Sequence, residues 1–153
     1  MRVYRICRAE HVATALTGIG AASYPGRWNS KGVHLVYTAG SHSLALLEML
    51  VHVNTLRDVP DNLRLLSYDL PDACIHDLEP ALWPEGWDRL PYSQPVRRVG
   101  DDFIRAGAHL ALRVPSAIVP GESNVLLNPR HADIGRVTEV GNTALAPDPR
   151  LFG

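Results

Sequence analysis

Apolar and polar residues alternate through Arg2–Arg8, with Val3, Arg5 and Cys7 on one side and Tyr4, Ile6 and Arg8 on the other, which predicts a short strand. Glu10–Leu16 has room for one or two helical turns, ended by Gly18 and Gly20. Alternation returns in His34–Ala39, where Leu35 and Tyr37 oppose Val36 and Thr38, and again suits a strand. After the Ala39-Gly40-Ser41 break, Ser43 to about Val53 is apolar on nearly every face, which predicts a buried helix capped by Ser41 or Ser43. Leu63–Leu70 reads as a strand, Val96 to about Gly107 as a helix spaced through Val96, Val99, Phe103 and Ala106, and His109–Val114 as another strand. The short apolar runs Ala117–Val119 and Asn124–Leu127 complete a strand-rich second half.

Two stretches resist regular structure. Gly20–Gly32 (GAASYPGRWNSKG) is dense in turn residues yet carries Tyr24, Arg27 and Trp28, large groups of the kind that loops present for chemistry. Leu78–Pro95 holds four prolines around Trp83 and Trp87 and reads as an irregular excursion.

A length of 153 residues predicts a single domain spanning 1–153, and 46% apolar residues suffice for one filled core. Gly and Pro occur 12 times each, which favours turns over long helices. The net charge of −1 argues against direct binding of nucleic acid or an anionic membrane, since phosphate-rich partners select a surplus of Lys and Arg. Cys7 and Cys74 make no disulfide framework and have no zinc-ligand spacing. Neither a leader-like apolar segment nor a membrane span stands out, so a cytoplasmic location is expected.

Between Lys31 and Arg57 the only Asp, Glu, Lys or Arg is Glu48, set among Leu44, Leu47 and Val51 at helical spacing. A carboxylate on such a face must meet a cation, a donor cluster, water or a ligand, because burying it unpartnered costs several kcal/mol. A structural ion pair and a carboxylate lining a cleft both satisfy that demand. Glu48 and His52 stand at i, i+4 but lack further ligands at metal-binding spacing, so no metal is expected. Gly18-Ile-Gly20 begins like a dinucleotide fingerprint, but Ser23 and Pro25-Gly26 depart from it, and no nucleophile elbow is present.

Three longer motifs, GRWNSKG, VYTAGSHSLALLEMLVH and LRVPSAIVPGESNVLLNPRH, resemble the RES domain family in that order, with the likeness running from Tyr4-Arg5-Ile6 to Asp148-Pro149-Arg150-Leu151. Members are toxins of bacterial toxin–antitoxin pairs whose antitoxin carries an Xre-like DNA-binding domain. The likeness implies an α+β fold related to ADP-ribosyltransferases, with a mixed β core of short strands, split or in two sheets, and a buried active-site helix. It places the family's Arg, Glu and Ser on Arg27, Glu48 and Ser116, an active-site tyrosine on Tyr37 and an NAD-binding arginine on Arg5.

NAD is then the substrate, with no cofactor, and the bond broken joins nicotinamide to ribose. The implied roles suit the residue types. Arginine's planar fork matches the pyrophosphate. The Tyr37 ring can stack on the cationic nicotinamide, Ser116 can bond the ribose or amide, and Glu48 can stabilise an oxocarbenium-like transition state. In NVLLNPRH, Asn128 is counted with the binding residues, and Asn124 and Arg130 are candidate contacts, with turn and capping roles as the alternative for all three. The expected function is NAD cleavage by water or phosphate, blocked by an antitoxin, with a homodimer as an option within that complex. ADP-ribose transfer to a target and a noncatalytic docking module are the rival readings.

Overall fold

The computed structural model describes residues 1–152. Seven strands form one sheet: β1 (Arg2–Arg8), β2 (Val36–Ala39), β3 (Leu63–Asp69), β4 (Ile75–Asp77), β5 (Ala111–Pro115), β6 (Ser123–Leu127) and β7 (Thr138–Ala144). Their order is β4-β5-β6-β2-β1-β3-β7, antiparallel throughout except for the parallel β4–β5 pair. Three α-helices accompany it among the described residues: α1 (Ile19–Ser23), α2 (His42–Leu50) and α3 (Gln94–Ala106).

Alternation assigns the two faces. Val3, Val36, Leu66, Tyr68, Val125 and Leu127 belong to one core. Leu35, Leu112, Val114 and Leu126 point the other way and pack with Trp28 and Val96 under α3. On that same side, Ala39, Tyr4 and Ile6 receive Leu44 and Ala45 of α2. Val96, Val99 and Phe103 of α3 turn inward as their spacing predicts. At Gly100 the helix meets the backbone of Trp28 so closely that a Cβ would lie 1.8 Å from the Trp28 carbonyl oxygen.

The expected split exists, but inside one continuous sheet rather than between two. β1 pairs with β3 along its whole length and β2 pairs with β6 along its whole length. Between β1 and β2 the register holds a single pair, Tyr4↔Ala39. Beyond that pair the strands part, and α2 lies over the opening.

Several expectations change. The helical turns expected in Glu10–Leu16 do form, as a 3-10 helix over Ala9–Thr14, but α1 occupies part of the predicted Gly20–Gly32 loop. Ala117–Val119 forms no strand and bends within the β5–β6 connection. The short β4 and the edge strand β7 lie in segments where no strand was expected. Helix α2 is buried on one side only, through Leu44 and Ala45, while Leu47 (38% exposed) and Val51 (56%) look outward. The sheet covers just one flank of the helix, so its apolar residues cannot all be enclosed.

Candidate functional site

Two cavities, of about 480 and 600 Å³, meet at α2 and share Arg5, Tyr37, Glu48, His52 and Asn124 as their common wall. They are two lobes of one cleft, opened where β1 and β2 diverge. The first lobe runs along β1 past Cys7 and Arg8 towards Asp58. The second is more aromatic, with Tyr24, Trp28 and Tyr92 beside Arg27 and Asp88.

Glu48 reaches the cleft because of how α2 begins. Ser41 caps the helix, accepting a bond from the Leu44 N–H at 3.1 Å and donating to Glu122 Oε2 at 2.9 Å. One helical turn on, Leu44, Ala45 and Glu48 share the sheet-facing side. The partners that Glu48 needs are a neutral donor cluster: Asn124 Nδ2 donates to Oε1 at 2.5 Å and Ser116 Oγ to the same oxygen at 3.3 Å. No ion pair among the described residues includes Glu48. Ser116 also accepts bonds from the Ile118 and Val119 N–H groups at 3.1 Å each, which fixes the turn after β5.

Arg5 enters the opening from β1 and donates through Nη1 to the Tyr37 carbonyl at 2.8 Å. Its Nε is buried without a partner, it forms no ion pair among the described residues, and burial lowers its pKa from the ordinary arginine value. A partly buried guanidinium lacking a counter-ion is a ready partner for an anion.

The Tyr37 hydroxyl donates to Asn29 Oδ1 at 2.7 Å and accepts from the Trp28 N–H at 3.0 Å. Burial drives its pKa well above the usual tyrosine value, so it stays protonated. Gly26 is required beside it, since a Cβ there would stand 2.8 Å from that hydroxyl. With its tip held, the ring forms part of the wall between the lobes. Asn29, fully buried, also binds the Gly26 N–H and the carbonyls of Ala21 and Val33, and so shapes the whole loop. Sequence reasoning passed over Asn29; its place within GRWNSKG was the available signal.

Arg27 lines the second lobe, but its Nη1 donates to the carbonyls of Trp87 (2.6 Å) and Arg89 (3.1 Å), and its guanidinium lies 4.7 Å from the centre of the Tyr92 ring. It therefore ties the proline-rich excursion to the GRWNS loop as well as facing the cavity. Asn128 is a correction. It sits at the opposite end of β6 from Asn124, is 2% exposed, and uses Oδ1 to accept the Arg130 N–H at 3.0 Å. Neither it nor the exposed Arg130 lines either lobe. The structure thus brings Arg5, Arg27, Tyr37, Glu48 and Asn124 around one cleft, while Ser116, though bonded to Glu48, lines neither lobe. His52 shares the wall, and among the described residues no group of three or more His, Cys, Asp or Glu is gathered closely enough to hold a metal ion.

The chain is 38% identical over 152 residues to Toxin Res of Yersinia enterocolitica, an alignment covering 99% of both chains. It is 41% identical to Toxin Res of Photorhabdus laumondii, covering 99% of this chain and 97% of that one. A Prs ADP-ribosylating toxin from Sphingobium is 40% identical over 143 residues, covering 92% and 88%. The fold is similar to a chain of the M. tuberculosis MbcT-MbcA toxin-antitoxin complex, with a TM-score of 0.72 at 20% identity, covering 99% of this chain and 86% of that one. The RES domain matches residues 2–150, and the chain belongs to the RES domain family.

Proposed function

We propose that this chain is the toxin of a toxin–antitoxin pair and that it consumes NAD by breaking the nicotinamide–ribose bond. The observation that carries the reading is Glu48, an un-neutralised carboxylate at the junction of two lobes, facing the same cleft as an arginine without a counter-ion. NAD has matching charges: a pyrophosphate for Arg5 and Arg27, and a cationic ring that suits the face of Tyr37.

The C1′–N bond breaks with its electron pair passing to nicotinamide, which leaves neutral and needs no general acid. Positive charge grows on the ribose, and the Glu48 carboxylate stabilises it. An acceptor oxygen then bonds to C1′ and gives up its proton, yielding ADP-ribose with water or its phosphorylated form with phosphate.

The test is nicotinamide release from NAD by purified protein, with and without phosphate. Release that falls roughly 10²–10³-fold in Glu48→Gln supports the reading, and undiminished release by the variant overturns the role of Glu48. Growth arrest on expression, relieved by the partner encoded with it (an Xre-like antitoxin on the family pattern), is the expected cellular counterpart. The name of the Sphingobium relative, an ADP-ribosylating toxin, favours a second outcome, transfer of ADP-ribose to a protein or small-molecule target. Labelled NAD in a lysate separates the two, because only transfer leaves label on a macromolecule.

A further inference from the structure

Glu48 has donors on one oxygen only. Asn124 Nδ2 and Ser116 Oγ both bind Oε1, while Oε2 has no hydrogen-bond partner among the described residues. The two donors are unequal. Ser116 stands at 3.3 Å and its oxygen already accepts two main-chain N–H groups, whereas Asn124 stands at 2.5 Å. Asn124 lies on β6 opposite Ala39, the residue that also forms the single β1–β2 pair, so its backbone is held where the two half-sheets meet. It lines both lobes, as Glu48 does.

We propose that Asn124 is the positioning residue of Glu48: its neutral amide fixes the carboxylate through Oε1 and leaves Oε2, with the negative charge intact, for the substrate. The inference rests on the reading that Glu48 acts on NAD. The amide is the chemically apt choice. A lysine or arginine at this place would also hold the carboxylate, but as an ion pair it would cancel the charge that an oxocarbenium-like centre needs. A serine alone would hold it loosely. An amide N–H donates and cannot titrate in the working range.

Asn124→Asp tests this because it is nearly isosteric and reverses the contact in a pH-dependent way. While the introduced carboxyl keeps a proton it donates to Oε1 as the amide did. Once that proton leaves, two carboxylates face each other and repel. The other charged or titratable groups near Glu48, Arg5 of β1, Tyr37 of β2, His52 beyond α2 and Glu122 of the β5–β6 turn, are the same in both proteins.

The variant is therefore expected to release nicotinamide within several-fold of wild type at acidic pH. It should lose about 10–100-fold in kcat as pH rises, where wild type shows no such loss. Asn124→Ala should lose a similar factor in kcat at every pH, with KM changed less. A second readout does not depend on turnover. In carboxyl-labelled protein, the Glu48 carbon-13 resonance, identified by its disappearance in Glu48→Gln, should show in Asn124→Asp an added inflection at the pH where activity is lost, as the introduced carboxyl gives up its proton, and wild type should lack it. A Glu48 resonance without that inflection, or a wild-type pH profile in Asn124→Asp, overturns the proposal. Wild-type protein that releases no nicotinamide overturns the NAD reading instead, and the resonance still decides the contact.

Discussion

Arg5 donates to the Tyr37 carbonyl across the gap where β1 and β2 no longer pair, so a side chain does there what a backbone N–H does elsewhere in the sheet. The same guanidinium has a buried Nε with no partner. Arg5→Gln keeps a donor for the carbonyl and removes the charge. The expected result is a folded protein whose apparent KM for NAD rises about 10–100-fold, the range of a lost hydrogen bond to a charged group. Calorimetric titration with NAD, or with the noncleavable product ADP-ribose, checks it.

Tyr37→Phe removes the hydroxyl that links the Trp28 N–H to the Asn29 amide. Both groups lie in the buried part of the loop, so the loss should cost about 1–3 kcal/mol. A fall in Tm of roughly 3–10 °C follows for a chain of this size, and a calorimetric melt measures it.

Gly100→Ala places a methyl group 1.8 Å from the Trp28 carbonyl oxygen, and the obstacle is backbone rather than a flexible side chain. Either α3 or the loop must move. A loss of about 3 kcal/mol or more is expected, at the upper end of overpacking effects, read as a lowered urea midpoint.

Burial pushes the Tyr68 hydroxyl up to about 12, and Tyr37 is raised in the same direction. In the unfolded chain a tyrosine ionises near pH 10. Between about pH 10 and 12 the unfolded state therefore loses protons that the native state keeps. Stability is complete below about pH 10 and falls as pH rises through that window. For Tyr68, 2% exposed, the loss approaches about 2–3 kcal/mol. Tyr68→Phe should flatten the alkaline decline in Tm relative to its own value at pH 8.

Asn128→Ala separates the sequence expectation from the structure. It should cost about 1 kcal/mol, through the lost bond to the Arg130 N–H, and leave the KM for NAD unchanged. A raised KM with normal stability would return Asn128 to the binding residues.

What could be read in advance follows from what determines each feature. β1, β2, β3, β5 and β6 alternate because one or both faces are buried, and α3 repeats Val96, Val99 and Phe103 because one stripe is. β7 (TEVGNTA) is a largely exposed edge strand, so little selects its apolar positions, and β4 is only three residues long. Glu48 was legible as the solitary charge in an apolar segment. Asn124 and Asn128 were not separable. They flank the same apolar run, and four residues of strand, about 13 Å, put one in the cleft and the other in a closing turn. Which end of β6 meets the cleft depends on its pairing with β2, a contact across 80-odd residues of chain that local pattern does not encode.

The parted strands also leave part of the cleft written in peptide groups. Each strand directs alternate amides and carbonyls to either edge. β1 past Tyr4 and β2 before Ala39 meet no neighbouring strand on the sides where they separate. Apart from the Tyr37 carbonyl, which Arg5 already holds, the gap is bordered by polar atoms that belong to no particular side chain. Substituting side chains along the gap reshapes its walls but leaves this peptide frame in place. Drift in sequence that keeps the strands apart would preserve that frame, and a comparison of side chains alone would overlook it.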